Sequence, residues 1–347
     1  MPPAPTRLLV ALLLVFARQQ QPPGRVMDIV IGSACSVICY NFCCRCCAGK
    51  DGGIPRTIDG VSPAYLTGIL RADGSLESSV CVTAVEVQKI SSEETGLTSS
   101  VYFLKLAFDR ATSCPSAVVY KMLNQDFVMR ILFKMADLAS NEINFLREYP
   151  KRVADGRPAI RIPRPLATQY NDRTQDFAIV SEDLRAVGRP GSQLRGTVDV
   201  IPDAKRALDA LAVLHADYWE DYDSALSFLK KQNHPKRAIV PVVFKDSWPK
   251  AIAWMRERPG LTHVDAIAAV GEELLSPDLP PGQYMEECQT PPLTVIHGDC
   301  HSENFLFPTA ATEAAIVMDF QLTAIGITRL SISLCLSQEE NRTKMIL

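Results

Sequence analysis

The stretch from Leu293 to Phe307 constrains this chain more than any other part of it. The apolar run Leu293-Thr-Val-Ile gives way to His297-Gly-Asp299-Cys-His301-Ser-Glu-Asn304 and resumes as Phe305-Leu-Phe307. After one turn a further run, Ala315-Ile-Val-Met, ends on Asp319-Phe-Gln321. Short apolar runs bounded by turn residues read as buried strands. One strand thus delivers a polar loop, a second begins at Asn304, and a third returns antiparallel from Ala315 to Asp319. Such a hairpin brings the Asn304 amide and the Asp319 carboxylate to one end of a sheet, facing Asp299.

Phosphoryl transfer needs this set: one carboxylate to accept a hydroxyl proton, with an amide and a second carboxylate to hold magnesium on nucleotide phosphates. The rest of the chain supplies a body around it. Val82–Ile90, Ser100–Phe108 and Ala117–Leu123 crowd branched and aromatic residues into strand-length segments, and Leu166–Gln169 and Phe177–Ser181 do the same. A helix is expected over Asp137–Tyr149, stopped by Pro150. Beyond Gly188-Arg189-Pro190-Gly191, a breaker cluster read as a hinge, the periodicity turns helical. Leu208, Leu211, Ala212, His215 and Trp219 mark one helix, and Trp248–Arg258, capped by Ser247, and Val264–Leu275 mark two more.

In these residues the chain resembles the aminoglycoside phosphotransferase and choline kinase superfamily, whose signature is His-Gly-Asp, four residues, Asn, and a later Asp-Phe-Gln. Asp319-Phe-Gln321 is similar within it to the ecdysteroid kinase-like group, also called CHK kinase-like. Lys121, Glu142, Glu182-Asp183-Leu184 and Leu214-His215-Ala216-Asp217-Tyr218-Trp219 follow in the family's order. The resemblance covers about Val61 to Gly326. It implies an α+β, bilobal protein-kinase-like fold, with an antiparallel-sheet N-lobe at 61–188 and a mainly helical C-lobe at 189–326. A divergent tail follows at 327–347. Only 28 residues follow Asp319, fewer than the family's closing helices need, so the C-lobe is read as truncated.

The resemblance also assigns roles. Asp299 is the expected catalytic base, His297 braces its loop, and Asn304 and Asp319 are the magnesium ligands. Lys121 pairs with the phosphates of ATP and Glu142 directs it. Gly96, Ser99 and Ser100 lie over the phosphates, and Glu182 to Leu184 offer backbone groups to the adenine edge. The implied activity is ATP-dependent phosphorylation of a small-molecule hydroxyl. The sequence does not identify that acceptor.

Plainer readings stand beside these. A Lys in a strand with a Glu about twenty residues later is usually a solvated pair. His215 reads as a packing histidine, and Trp248, Trp254 and Tyr284 read as core before they read as a substrate pocket. Cys300 and His301 could join His297 around a metal. A phosphoesterase is the weaker enzymatic alternative, because the further His and Asp clusters of a two-metal centre are missing. A catalytically impaired, truncated kinase-like protein is the nonenzymatic one.

Charge narrows the partners. Lys and Arg total 36 against 39 Asp and Glu, without the clustered cationic excess that a nucleic acid or an anionic membrane selects. Six of the 11 cysteines fall between Cys35 and Cys47 and the others are scattered, which is not a disulfide framework, so a reduced, cytoplasmic body is favoured. The leader, residues 1–60, leaves three options open. Arg7 ahead of the apolar Leu8–Ala17 has the order of a secretory signal, yet it is too short for a span of about twenty residues. Cys35, Cys39 and Cys43 recur every four residues, a helical stripe where acylation would anchor the chain to a membrane. A disordered or mispredicted leader is the plainest option, and Met27 could equally be the start.

Overall fold

The computed structural model describes residues 53–88, 99–123, 127–157, 159–191, 201–222, 226–231, 239–257, 264–274 and 289–328. The cysteine stripe, Gly96, Tyr284 and the tail beyond Thr328 lie outside them. The chain folds as α+β in two lobes, an antiparallel sheet followed by a mainly helical part.

Strands β1 (Val82–Gln88), β2 (Ser99–Phe108), β3 (Ala117–Leu123), β4 (Pro165–Tyr170) and β5 (Phe177–Glu182) form one sheet in the order β1-β2-β3-β5-β4, with every neighbouring pair antiparallel. Side chains alternate across it, as the pleat requires. Val118, Tyr120 and Met122 of β3 point with Ala178 and Val180 of β5 into one core. Leu123, Phe177 and Ile179 point into the other, on the face where Lys121 meets Glu142.

The first core is closed by α1 (Pro63–Ala72), which the sequence reading did not anticipate. Its signal was present: the Ser62 side chain accepts the Tyr65 N–H at 3.2 Å, Pro63 opens the first turn, and Leu66, Ile69 and Leu70 are buried at helical spacing. The second core joins the inner face of the sheet to the helices and to the Leu293–Ile325 region. The candidate site lies where these two layers meet.

Helices α2 (Phe127–Ala136) and α3 (Leu138–Ala154) connect β3 to β4, broken only at Asp137, whose φ is 56°. The helix therefore runs past Pro150, against expectation. A mid-helix proline costs about 3 kcal/mol. Arg152, in the last turn, lies 2.8 Å from Asp217 Oδ2, donates to the Asp217 carbonyl at 2.7 Å, and stacks 4.1 Å over Tyr218. Hydrogen bonds to charged groups are worth about 1.5–3 kcal/mol each. Two of them offset the proline.

Gly188–Pro190, within the breaker cluster, forms strand β6, paired with β8 (Phe305–Pro308), which in turn pairs with β9 (Ile316–Val317). Gly188 permits this, because a Cβ there would overlap the Phe307 carbonyl. Strands β7 (Thr294–Ile296) and β10 (Ala324–Gly326) form a separate antiparallel pair.

Helix α4 (Ile201–Asp217) buries Ala207, Ala210, Leu211, Leu214 and His215, a stripe displaced from the expected one, so that Ala212 and Trp219 face solvent. Helix α5 (Ile239–Arg256) begins well before Ser247 and contains Pro249; α6 (Val264–Leu274) packs beside it. Among the described residues no helix is long and apolar enough to cross a membrane.

Candidate active site

The β8–β9 hairpin pairs Phe305 with Val317 and Leu306 with Ile316. Just beyond its open end, the Met318 N–H donates to the Asn304 carbonyl at 2.9 Å. Asn304 and Asp319 therefore emerge side by side. Asn304 closes a short 3-10 turn, Ser302–Asn304, and its Nδ2 donates to the Asp299 carbonyl at 2.8 Å and to Asp299 Oδ2 at 3.2 Å. With Nδ2 committed, Oδ1 is left as the accepting side of the amide. Asp319 adopts a φ of 61°, a left-handed conformation that Asp tolerates better than most residues. Gly298 has a φ of 80°, and a Cβ there would overlap the Leu322 carbonyl, so glycine is needed on both counts.

His297 holds the two acidic segments together. It is wholly buried, its Nε2 lies 2.8 Å from the Met318 carbonyl, and its Nδ1 lies 3.3 Å from the Asp299 N–H. A carbonyl can only accept and an N–H can only donate, so the ring is the neutral tautomer with the proton on Nε2. Burial pushes its pKa down, and the Met318 carbonyl and nearby carboxylates only partly oppose that. Phe320 meets the ring edge-on with centroids 5.3 Å apart, and also stacks on Phe145 of α3 at 4.2 Å. The residue between Asp319 and Gln321 thus ties the site to α3, a role the sequence reading did not assign.

Lys121 reaches the same place from the sheet. Its Nζ lies 2.8 and 2.9 Å from the Glu142 carboxylate oxygens and 3.2 Å from Asp319 Oδ1. Burial disfavours the ammonium, yet Asp319 and Glu142 together raise its pKa, so it stays charged. Burial raises the Glu142 carboxyl and Lys121 opposes this. For Asp299, burial acts against the charged form, but His301, His297 and Asn304 outweigh it and hold the carboxyl below its ordinary range. Asp299 is thus an anion at neutral pH, with its side chain about a third exposed.

The remaining expected residues are placed less tightly. Ser99 is buried and pairs with Leu123, Ser100 pairs with Met122, and both begin β2. Glu182 ends β5; its N–H is taken by the Arg164 carbonyl at 3.1 Å and the Leu184 carbonyl by Val187 N–H at 2.9 Å. His215 packs as expected, buried and with its pKa lowered to about 4, chiefly by burial and then by His297. Trp248 is half-buried and Trp254 exposed. With both ring nitrogens engaged, His297 is not available to join Cys300 and His301 around a metal. An open cleft of about 940 Å³ lies elsewhere, between the start of α4 and the turn after β8. Its charges are consumed internally, Arg206 lying 3.1 Å from Asp203, and none of the site residues above lines it.

Residues 96–339 match the model of the ecdysteroid kinase-like family. No curated protein matches the chain. Among solved structures, it is similar to aminoglycoside phosphotransferase APH(3'')-Id from Streptomyces rimosus in complex with ADP and streptomycin, at 15% identity and a TM-score of 0.42, covering 80% of this chain and 83% of that one. It is also similar to the GDP complex of wild-type aminoglycoside 2'-phosphotransferase-IIIa, at 16% identity and a TM-score of 0.38 over 76% and 74% of the two chains. A choline kinase from Cryptosporidium parvum shows 14% identity and a TM-score of 0.36 over 70% and 59%.

Proposed function

Because the chain belongs to the ecdysteroid kinase-like family, we propose that it is a small-molecule kinase that moves the γ-phosphoryl group of ATP onto a hydroxyl of an organic acceptor. The observation that carries this reading is the meeting of Lys121, Glu142 and Asp319 within 3.2 Å beside the Asp299–Asn304 pair. A simple buried pair needs one carboxylate, whereas this ammonium meets two, Glu142 and Asp319. In this reading the sheet-rich part holds the nucleotide and the helical part carries the catalytic loop.

Asp299, ionised and part-exposed, accepts the proton of the acceptor hydroxyl. Lys121 neutralises phosphate charge and Glu142 fixes its direction. The donors Asn304 Oδ1 and the Asp319 carboxylate fit magnesium, a hard cation that takes few protein oxygens and completes its shell with phosphate and water. When bound, MgATP supplies the transferable phosphoryl group with its charge neutralised. His297 keeps the Asp299 loop and the Asp319 turn in register. Gly96, Ser99 and Ser100 near the phosphates, and Glu182 and Leu184 at the adenine edge, complete the proposed nucleotide site.

The test compares Asp299→Asn with Asp319→Asn, measuring MgATP affinity by titration calorimetry and transfer from labelled ATP to a panel of small alcohols. Asp299→Asn should bind MgATP normally and lose transfer by about 10²–10⁴-fold. Asp319→Asn should lose MgATP affinity itself. Equal loss of affinity in both variants would reject this division of roles.

A further inference from the structure

The connector that follows β5 reaches the β8–β9 hairpin and the β1–β2 pair with adjacent residues. Leu184, with Val187, packs onto Leu306, Ile316 and Met318, the base of the hairpin that bears Asn304 and Asp319. Its neighbour Arg185 turns the other way. The guanidinium lies 3.8 Å over the Phe103 ring, and its Nη2 donates to Gln88 Oε1 at 2.6 Å. Gln88 and Phe103 are not two arbitrary residues: they are opposite partners in the β1–β2 register. One side chain therefore grips both strands at once. Asp183 holds Arg185 in this pose through contacts of 2.6–3.0 Å, with its own side chain only 7% exposed.

The grip bears on the site through the sheet. Phe103 lies two residues from Val101, which pairs with Lys121. Lys121 is fixed to β2, β2 to Arg185, and the preceding residue, Leu184, to the strand that leads to Asp319. We propose that Arg185 is a positioning residue that sets the spacing between Lys121 and the Asn304–Asp319 pair, and so governs how the site receives a phosphate chain; this rests on the kinase reading above. The Arg185 side chain is about half exposed, and its three contacts, with Phe103, Gln88 and Asp183, are what fix it. Only a planar fork can stack on Phe103 while bonding Gln88 and Asp183.

The experiment measures MgATP and adenosine affinity in the full chain, for the unaltered protein, Arg185→Ala and Arg185→Lys. In Arg185→Ala, MgATP affinity should fall about tenfold, as a misplaced phosphate-binding group would cause, with adenosine affinity changed less than twofold. Arg185→Lys keeps the charge without the fork and should recover less than half of the lost MgATP affinity. Hydrogen exchange without nucleotide should show faster opening of Val82–Gln88 and Ser99–Phe108 in Arg185→Ala. Equal losses for MgATP and adenosine, full recovery by lysine, or unchanged exchange would each overturn the positioning role and leave the kinase reading intact. Failure of the unaltered chain to bind MgATP would overturn both.

Discussion

The imidazole of His297 spans the gap between Asp299 and Met318, accepting an N–H from one and donating to the carbonyl of the other. Two segments that emerge from different strands are thereby fixed to one ring. Replacing it by alanine leaves the Met318 carbonyl short of a donor and opens a void between Phe305 and Phe320. His297→Ala should lose about 2–4 kcal/mol in urea titration. His297→Gln, whose amide can donate, should recover part of it.

Lys121 and Glu142 make a different prediction for stability than for binding. Breaking a buried pair by removing one partner costs about 3–5 kcal/mol, whereas replacing both by apolar residues is often neutral. Lys121→Met alone should therefore lower the urea midpoint, and Lys121→Met with Glu142→Leu should restore much of it. Neither should bind MgATP.

His215 carries a pH dependence with a defined sign. Its pKa is lowered to about 4 in the fold, against about 6.5 when unfolded. The unfolded chain therefore takes up the proton first, and the stability present above pH 6.5 is lost as pH falls toward 4, by about 3 kcal/mol in all. Urea midpoints measured across that range should converge between the native chain and His215→Asn as the pH drops. Parallel curves would show that His215 is not the group responsible.

Gly298 should tolerate no side chain. A residue held at positive φ costs about 1–3 kcal/mol, and the Leu322 carbonyl leaves no room for a methyl group. Gly298→Ala should shift the Asp299 loop, measurable as a lower melting temperature and at least tenfold weaker transfer.

Much of this was legible before the structure. The hairpin that sets Asn304 beside Asp319 follows from apolar runs around a polar turn, and β3 spans Ala117–Leu123 as its branched residues suggest. What escaped was whatever distant contacts decide. Pro150 is a stop signal locally, and only Asp217 and Tyr218, far along the chain, make its helix continue. Gly188-Arg189-Pro190 reads locally as a run of breakers, and only Phe307 and Pro308 give it a strand to pair with. Arg185 has no motif at all. Its position matters only because Gln88 and Phe103 face each other across two strands.

The pairing of β7 with β10 encloses this chemistry in a particular way. Thr294 lies opposite Gly326 and Ile296 opposite Ala324, with the β8–β9 hairpin nested between them. Asp299, Asn304 and Asp319 thus belong to one short excursion whose entrance and exit are zipped together, and closing a loop of that length is entropically cheap. Lys121 enters from far upstream, a contact of long sequence separation, the kind that slows folding. The acidic half of the site can be assembled by its own neighbourhood, and the cationic half waits on the assembly of the whole chain.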